Sequence, residues 1–373
     1  MTITTNKFII ASVLASYYFF YFALVGVYIV FLPKILIDLG YSPFEVGIIY
    51  AAAPFMRFIV PFLFRYGLVL HYKNYLYSLL LTVGATIIFW FTIDSFWSYL
   101  LANLLFGATM GISLPYVETI ALSHLSKSHY GKIRLWGSIG FMVIVLWLGK
   151  TLKEPNSGLI ALVVIASLTL IFGAIAGRFD TSLKNQIEDS STFYLRTYMW
   201  FWLSLLLMQM SFGGFYNFFT IYQESHGVSL EIISWMWSFG VICEILMLYF
   251  QGPLLQRNLL KIIQFATLIT ALRWFILYLF AGEVGFVFFA QSLHAISFAL
   301  YHTAAISYLL LLYAQKKLAQ QFFLGIAFGL GGSLGAIVAG KLYGDNLFLW
   351  QGIIALFSLL ALVLSEKKEG NRG

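Results

Sequence analysis

Long apolar runs separated by short polar breaks dominate this chain of 373 residues. A transmembrane helix needs about 20 mostly apolar residues, and twelve runs meet that length. Hydrophobic residues make up 61% of the chain and charged residues 10%, whereas soluble domains are about half apolar and about a quarter charged. The sequence therefore predicts an all-α integral membrane protein. The predicted spans 1 to 12 cover residues 8–35, 44–67, 75–93, 97–123, 133–150, 157–177, 196–222, 229–250, 260–280, 284–313, 319–343 and 346–365.

The longest polar stretch, RFDTSLKNQIEDSS, begins at Arg178 near the middle of the chain. It predicts two six-helix halves, 1–180 and 196–373, joined by a cytoplasmic linker, 181–195. The halves show a weak internal sequence similarity. GYSPFEVG precedes span 2 and GVSLEIIS precedes span 8, and Arg57 and Glu244 lie equally far along the chain from the first glycine of each stretch. Matching half-repeats with a site between them are typical of secondary transporters. We therefore expect pseudo-two-fold symmetry around a central cavity.

Lysines and arginines concentrate on one side of this predicted topology. With the N-terminus inside, sixteen fall on cytoplasmic segments and four on the opposite side. This bias follows the positive-inside rule and predicts a multi-pass protein of the inner (plasma) membrane with both termini in the cytoplasm. The net charge of +7 is therefore a feature of topology and does not indicate a nucleic-acid partner.

Six ionisable side chains lie within the predicted spans, away from the span ends. A charge at the bilayer centre costs about 2.5–3.5 kcal/mol, so such residues are usually functional. We expect two pairs, Arg57 with Glu118 and Glu244 with Arg273. The alternative is a set of salt bridges that only lock helices together, although buried pairs often add no net stability. The six residues are Arg57, Glu118, Glu244, Arg273, His294 and His302.

His294 and His302 lie two helical turns apart in span 10, with Phe298 between them. Histidine titrates near neutral pH, so the two side chains are candidates for a proton relay, with packing as the equally weighted alternative. Trp237 and Glu244 share one helical stripe of span 8, which suits a ligand surface. Packing alone is the competing interpretation of Trp237.

Further polar side chains in spans 1 and 7 are candidates for lining a substrate cavity. For each tyrosine among them, packing or an interfacial position is the simpler interpretation. The candidates are Tyr21 in span 1 and Gln209, Tyr216 and Asn217 in span 7.

Other chemistry lacks sequence support. The chain has no phosphate-binding glycine-rich loop and no His/Cys cluster at metal-ligand spacing. No large soluble segment exists that would hold an enzyme domain. We expect a monomeric non-enzyme with the lipid bilayer and a small-molecule substrate as partners, no metal, and no cofactor besides the proton as coupling ion.

Several motifs carry a resemblance to a known family. The start of span 5, YGKIRLWGSIGF from Tyr130 to Phe141, resembles the 3-phenylpropionate/proton symporter family of the major facilitator superfamily and, more distantly, lactose permease. WMWSFGVICEI in span 8, LRWFIL in span 9 and QSLHAISFALYHTAAISYL in span 10 match the same group. The resemblance runs through nearly the whole chain and implies twelve helices in two halves.

The resemblance implies roles for individual residues. Arg134 and Glu118 match positions that help to bind substrate, which moves Arg134 from the cytoplasmic edge, where the topology count puts it, toward the cavity. Glu244, Arg273 and either His294 or His302 match positions involved in substrate binding and proton coupling. Lactose permease also has an acid in span 10 and this chain has none, so Glu244 becomes the leading proton carrier.

Together these observations predict proton-coupled uptake of a small organic solute, such as an aromatic acid, by alternating access. Arg57 is expected to help bind the solute's polar or anionic group. The absence of the antiporter proline–glycine motif from span 5 favours symport over efflux. Proton-antiport efflux, sugar or nucleoside symport, and a non-transporting membrane receptor or scaffold are the alternatives.

Overall fold

The computed structural model describes residues 2–65, 71–180 and 194–370, and helices account for nearly all of them. No β-strand occurs within these ranges, and the predicted all-helical fold class is confirmed. The first helices are α1 (Thr2–Gly26), α2 (Leu32–Asp38), α3 (Pro43–Arg65), α4 (Tyr72–Thr92), α5 (Phe96–His124), α6 (Lys127–Thr151) and α7 (Pro155–Gly177). The later helices are α8 (Met199–Ser211), α9 (Gly213–Ser225), α10 (Leu230–Phe250), α11 (Leu259–Leu279), α12 (Val284–Ser292), α13 (Tyr301–Leu312), α14 (Lys316–Phe323), α15 (Gly332–Lys341) and α16 (Leu347–Gly370).

Eleven helical segments in the described part of the chain are long and apolar enough to cross a membrane. They correspond to eleven of the twelve predicted spans. The difference lies in span 7, which is divided at Phe212 into two helices of 13 residues each, α8 and α9. Two consecutive glycines, Gly213 and Gly214, follow the break, and glycine has a low helix propensity. The multi-pass helical architecture is therefore confirmed, with one span interrupted.

The first of two compact units comprises Met1–Tyr41 and Ile59–Ile187. In this unit α1 packs along α6 and α7, and α4 packs along α5 and α7. Lipid tails are as apolar as the helix faces, so close packing has to hold such helices together. Gly140 of α6 lies so close to the carbonyl group of Phe19 on α1 that any Cβ there would collide with it. This contact fixes α1 against the helix that carries Arg134.

The second unit comprises Glu188–Gly373 together with Ser42–Phe58, the first part of α3. Ser333 on α15 ties this part of α3 to the unit by donating a hydrogen bond of 2.9 Å to the carbonyl oxygen of Ala51. The helices α8 and α11 both pack along α16. The predicted linker, 181–195, lies almost wholly outside the described residues, so the predicted domain boundaries stay a prediction.

In the part of the chain that the structure describes, three π-helical segments interrupt the α-helical spans: Val27–Phe31, Ala295–Leu300 and Leu324–Gly331. Such segments are rare and occur frequently at functional sites. The second of them lies between His294 and Tyr301, so the candidate proton-carrying residues of span 10 stand on either side of it. No sequence pattern predicted these segments.

Candidate functional site

The first unit contains one ion pair between predicted site residues. The Nε atom of Arg134, on α6, lies 3.4 Å from Oε1 of Glu118, on α5. About a third of each side chain is exposed, 31% for Arg134 and 34% for Glu118. The cation that the structure pairs with Glu118 is therefore Arg134, where the charge pattern alone predicted Arg57.

Aromatic rings of α1 surround the Arg134 guanidinium. Its Cζ atom lies 4.1 Å from the centroid of the Phe22 ring and 5.2 Å from that of Tyr18. Cations within about 6 Å of a ring face are attracted by the quadrupole of the ring. The guanidinium is held by these rings, by the contact to Glu118 and by an interaction with the side chain of Tyr130. The arrangement leaves a partly exposed cation beside an aromatic surface, which suits a planar anionic group.

The second unit contains a fully buried arginine. Arg273, on α11, has 0% exposure. Its Nη2 atom donates to Oε1 of Gln291 at 2.8 Å, and its Nη1 atom donates to Oγ of Ser297 at 3.2 Å. Its Cζ atom also lies 4.3 Å from the ring centroid of Phe215 and 4.6 Å from that of Trp274. Neutral acceptors and ring faces thus surround this charge, although a buried charge is commonly paired with an opposite charge.

His294 lies between Arg273 and the carboxylate of Glu244. Nη1 of Arg273 lies 3.0 Å from Nδ1 of His294, and Nε2 of His294 lies 3.5 Å from Oε2 of Glu244. A guanidinium only donates hydrogen bonds, so Nδ1 accepts and the ring proton of neutral His294 resides on Nε2, toward Glu244. The predicted direct pair of Glu244 with Arg273 is corrected to a chain with the imidazole between the two charges. The reason is that span 10 lies between their side chains, which one sequence does not reveal.

The second candidate histidine is separated from the first by an aromatic ring. The rings of His294 and Phe298 are nearly parallel with centroids 5.1 Å apart, and Phe298 stacks on His302 at 6.0 Å. Phe298 therefore blocks a direct hydrogen bond between the two imidazoles. Nδ1 of His302 is buried and has no hydrogen-bond partner among the described residues. A relay through both histidines would need Glu244 or water as an intermediate.

Other predicted residues of the second unit take different positions. Trp237 is buried, with its ring 4.5 Å from that of Phe215, and it donates to Oγ1 of Thr220 at 3.1 Å. Trp237 therefore packs inside the unit. The sequence alone had left a ligand surface and packing as the two interpretations of this residue. Asn217 is half-buried and donates to the carbonyl oxygen of Gly213.

Four further predicted residues are divided between the two units. Tyr216 is half-buried and stacks on Phe212, with ring centroids 5.6 Å apart, and Gln209 is 8% exposed. Arg57 has an exposed side chain in the part of α3 that belongs to the second unit. In the first unit, Tyr21 is buried and donates to the carbonyl oxygen of Met110 at 3.2 Å.

Sequence reasoning missed Gln291, Ser297 and Phe22. Gln291 and Ser297 stand three residues before and after His294, and this spacing would have indicated one helical face in span 10. Phe22 is one of many phenylalanines and carried no signal of its own. Within the described ranges no group of three His, Cys, Asp or Glu side chains could hold a metal ion.

This protein has many apolar helices and ionisable side chains inside its spans. These features are typical of polytopic membrane transporters. Comparison with known families makes the assignment specific. The chain belongs to the MFS_1 like family, whose model matches residues 12–351.

Two relatives are named for different solutes. The chain is 25% identical over 377 residues to the "Probable 3-phenylpropionic acid transporter" of Escherichia coli (strain K12), covering 95% of this chain and 97% of that protein. It is 23% identical over 290 residues to the maltose permease of Geobacillus stearothermophilus, covering 74% of this chain and 73% of the permease.

Solved transporter structures share the fold. The nucleoside transporter NupG aligns with a TM-score of 0.76 at 17% identity, over 97% of this chain and 98% of that chain. A bacterial homologue of the iron transporter ferroportin in the inward-facing state aligns with a TM-score of 0.73 at 12% identity, over 95% and 98%. At such identities the likeness shows the shared fold alone and says nothing about the solute.

Proposed function

We propose that this protein is a proton-coupled symporter that takes up a small organic solute, such as an aromatic carboxylic acid, across the bacterial inner membrane. The observation that carries the proposal is the buried chain Arg273–His294–Glu244. It joins a fully buried cation, an imidazole of fixed tautomer and a carboxylate whose side chain is 21% exposed. The relative from Escherichia coli supports an aromatic acid as the solute.

Glu244 is the proposed proton carrier. Protonation converts its carboxylate to a neutral acid and removes the negative charge that faces Nε2 of His294. Arg273 opposes protonation of His294 itself, because a proton on Nδ1 would replace an acceptor with a donor facing Nη1. The incoming proton therefore goes to Glu244. A proton on Glu244 changes the charge at one end of the chain that leads through His294 to the buried cation, which can shift the balance between transporter states.

Arg134 and Glu118 are the proposed binding group for the solute in the first unit. Their partial exposure makes them accessible, and a guanidinium matches a carboxylate in shape and charge. The phenyl-bearing solute that we propose would find aromatic side chains next to this cation. Arg57, Tyr21, Gln209, Tyr216 and Asn217 remain proposed contributors to solute binding.

The direct test is transport by Glu244→Gln in proteoliposomes. With 3-phenylpropionate as solute and an inward proton gradient, we expect uphill accumulation to be lost while downhill exchange of labelled for unlabelled solute continues. The matched control is Glu231→Gln, the same chemical change at an exposed position in the first turn of α10. Accumulation by Glu244→Gln at the wild-type level would refute the proton-carrier role.

Uptake assays in membrane vesicles of known orientation distinguish this proposal from the remaining alternatives. Accumulation only in inside-out vesicles indicates antiport efflux, and accumulation of maltose or a nucleoside in place of the carboxylate indicates another solute class. The proposed topology has both termini in the cytoplasm. A protease-accessibility assay of terminal tags in right-side-out membrane vesicles tests it, because cytoplasmic tags are protected there. We also propose that the transporter works as a monomer, and its mass in detergent by light scattering checks this.

A further inference from the structure

We propose that Phe22 is a positioning residue for Arg134: its ring holds the guanidinium against α6 in the position from which it binds a solute carboxylate. The inference rests on the proposed role of Arg134 in solute binding. Phe22 itself donates no hydrogen bond and carries no charge, so its effect on an anionic solute is exerted through the arginine.

Of the two aromatic rings beside the guanidinium, that of Phe22 is the closer. Cζ of Arg134 lies 4.1 Å from the Phe22 ring centroid, well inside the range of a cation–π contact. The contact with Glu118 runs through a single nitrogen, Nε, at 3.4 Å, whereas strong guanidinium–carboxylate pairs use two parallel hydrogen bonds. Glu118 therefore contacts only one nitrogen of the group, and the side chain of Tyr130 also interacts with Arg134. A solute carboxylate that takes the place of the Tyr130 hydroxyl leaves the ring contact in place.

Gly137 provides the space in which this contact forms. A Cβ at position 137 would lie 2.6 Å from Cδ2 of Phe22 and 3.2 Å from Nη1 of Arg134. Any side chain there would push the ring and the guanidinium apart. Position 137 is one helical turn after Arg134, so arginine and glycine face α1 together.

The backbone contact between α1 and α6 keeps the ring from moving away. Gly140 of α6 meets the carbonyl group of Phe19, which is nearly one turn before Phe22 on α1. The two helices cannot approach further there, and their separation at the level of the ring is set by this contact. The distance between ring and guanidinium is thus determined by the backbone rather than by side-chain flexibility.

The first test observes the contact without any solute. In the full-length protein labelled with ¹⁵N-arginine, we expect the Arg134 Nε–H signal to be shifted upfield by the ring current of Phe22. Phe22→Leu should abolish this shift and Phe22→Tyr should retain it. Phe20→Leu is the matched control, since Phe20 stacks on Phe172 of α7 with ring centroids 5.4 Å apart. An Arg134 signal that is identical in wild type and Phe22→Leu would overturn the proposal.

The second test measures function in the same variants. Calorimetric binding of 3-phenylpropionate should weaken about five- to tenfold in Phe22→Leu and remain within about threefold of wild type in Phe22→Tyr. Binding of the neutral analogue 3-phenylpropanamide should change equally little in both, because it lacks the charge that Arg134 attracts. In the Arg134→Gln background, Phe22→Leu should cause no further loss, since residues that act through one another are not additive.

The outcomes distinguish the inference from the function on which it rests. Additive losses in the double variant, or equal weakening of acid and amide, mean that Phe22 acts by packing and overturn the proposal. If the wild type binds no carboxylate, the proposed solute is wrong. The chemical shift of the Arg134 Nε–H signal in Phe22→Leu still tests the contact between Phe22 and Arg134 in that case.

Discussion

The two charged centres hold their arginines in opposite ways. Arg134 is partly exposed and touches a carboxylate directly, whereas Arg273 is fully buried and reaches a carboxylate only through His294. Exposed pairs contribute little stability, and their partners are exchanged readily. The stability of a buried cation that is held by neutral acceptors depends on each of those hydrogen bonds. The contrast supports solute exchange at the first centre and proton-linked change at the second.

The largest expected effect is at the buried arginine. Arg273→Met removes the donor to His294, Gln291 and Ser297, and we expect the free energy of unfolding to fall by about 3 kcal/mol or more, because three buried neutral acceptors lose their donor at about 1–3 kcal/mol each. Chemical denaturation in detergent measures it. Arg257→Met, at an exposed position before α11, should stay close to wild type. Equal stability of the two variants would show that Arg273 is dispensable to the packed unit.

A smaller loss is expected at the shortest hydrogen bond of the same arginine. Gln291→Leu leaves Nη2 of Arg273 without its acceptor at 2.8 Å, and the expected cost is about 1.5–3 kcal/mol. The same denaturation assay applies, with Gln256→Leu at an exposed position as the control. A stabilised Gln291→Leu variant would contradict this prediction, because it would mean that the arginine does not need the amide.

The third effect is weaker again. Ser297→Ala removes an acceptor at 3.2 Å from Nη1, an atom that keeps its contact with His294, so we expect a loss of about 1 kcal/mol. Ser292→Ala is the control, since that hydroxyl bonds only the carbonyl oxygen of Phe289 in its own helix. A loss as large as that of Gln291→Leu would show that Nη1 depends on the serine more than on the histidine.

The smallest effect on stability is expected in the first unit. Glu118→Gln should change the free energy of unfolding by at most about 1 kcal/mol, because the pair with Arg134 is partly exposed. Uptake of 3-phenylpropionate by the same variant should nevertheless fall strongly if Glu118 orients the arginine for the solute. A stability loss comparable to that of Arg273→Met would remove the contrast between the two centres.

Hydrophobic run length predicted the helical fold because a membrane-spanning helix must satisfy its backbone internally and needs a fixed length. It did not predict the division of span 7 at Phe212, since an interrupted helix and a continuous one have the same apolar composition. The sequence likewise showed which charged residues lie within the spans. Their partners were not, because which helices neighbour one another depends on lateral packing: this placed His294 next to Arg273 and Arg134 next to Glu118.

The π-helical segment Ala295–Leu300 affects how span 10 can be aligned with its relatives. A π turn accommodates about one residue more than an α turn, so a relative without it is one residue shorter at this point. Deleting one residue there would convert the π turn to an α turn and leave the residues after it on the faces they now occupy, whereas a one-residue misalignment corresponds to a rotation of about 100° about the helix axis. Gap-free alignment through 295–300 would then equate His302 with a residue on a different face. In span 10, comparisons among homologues should therefore be made separately before and after this turn.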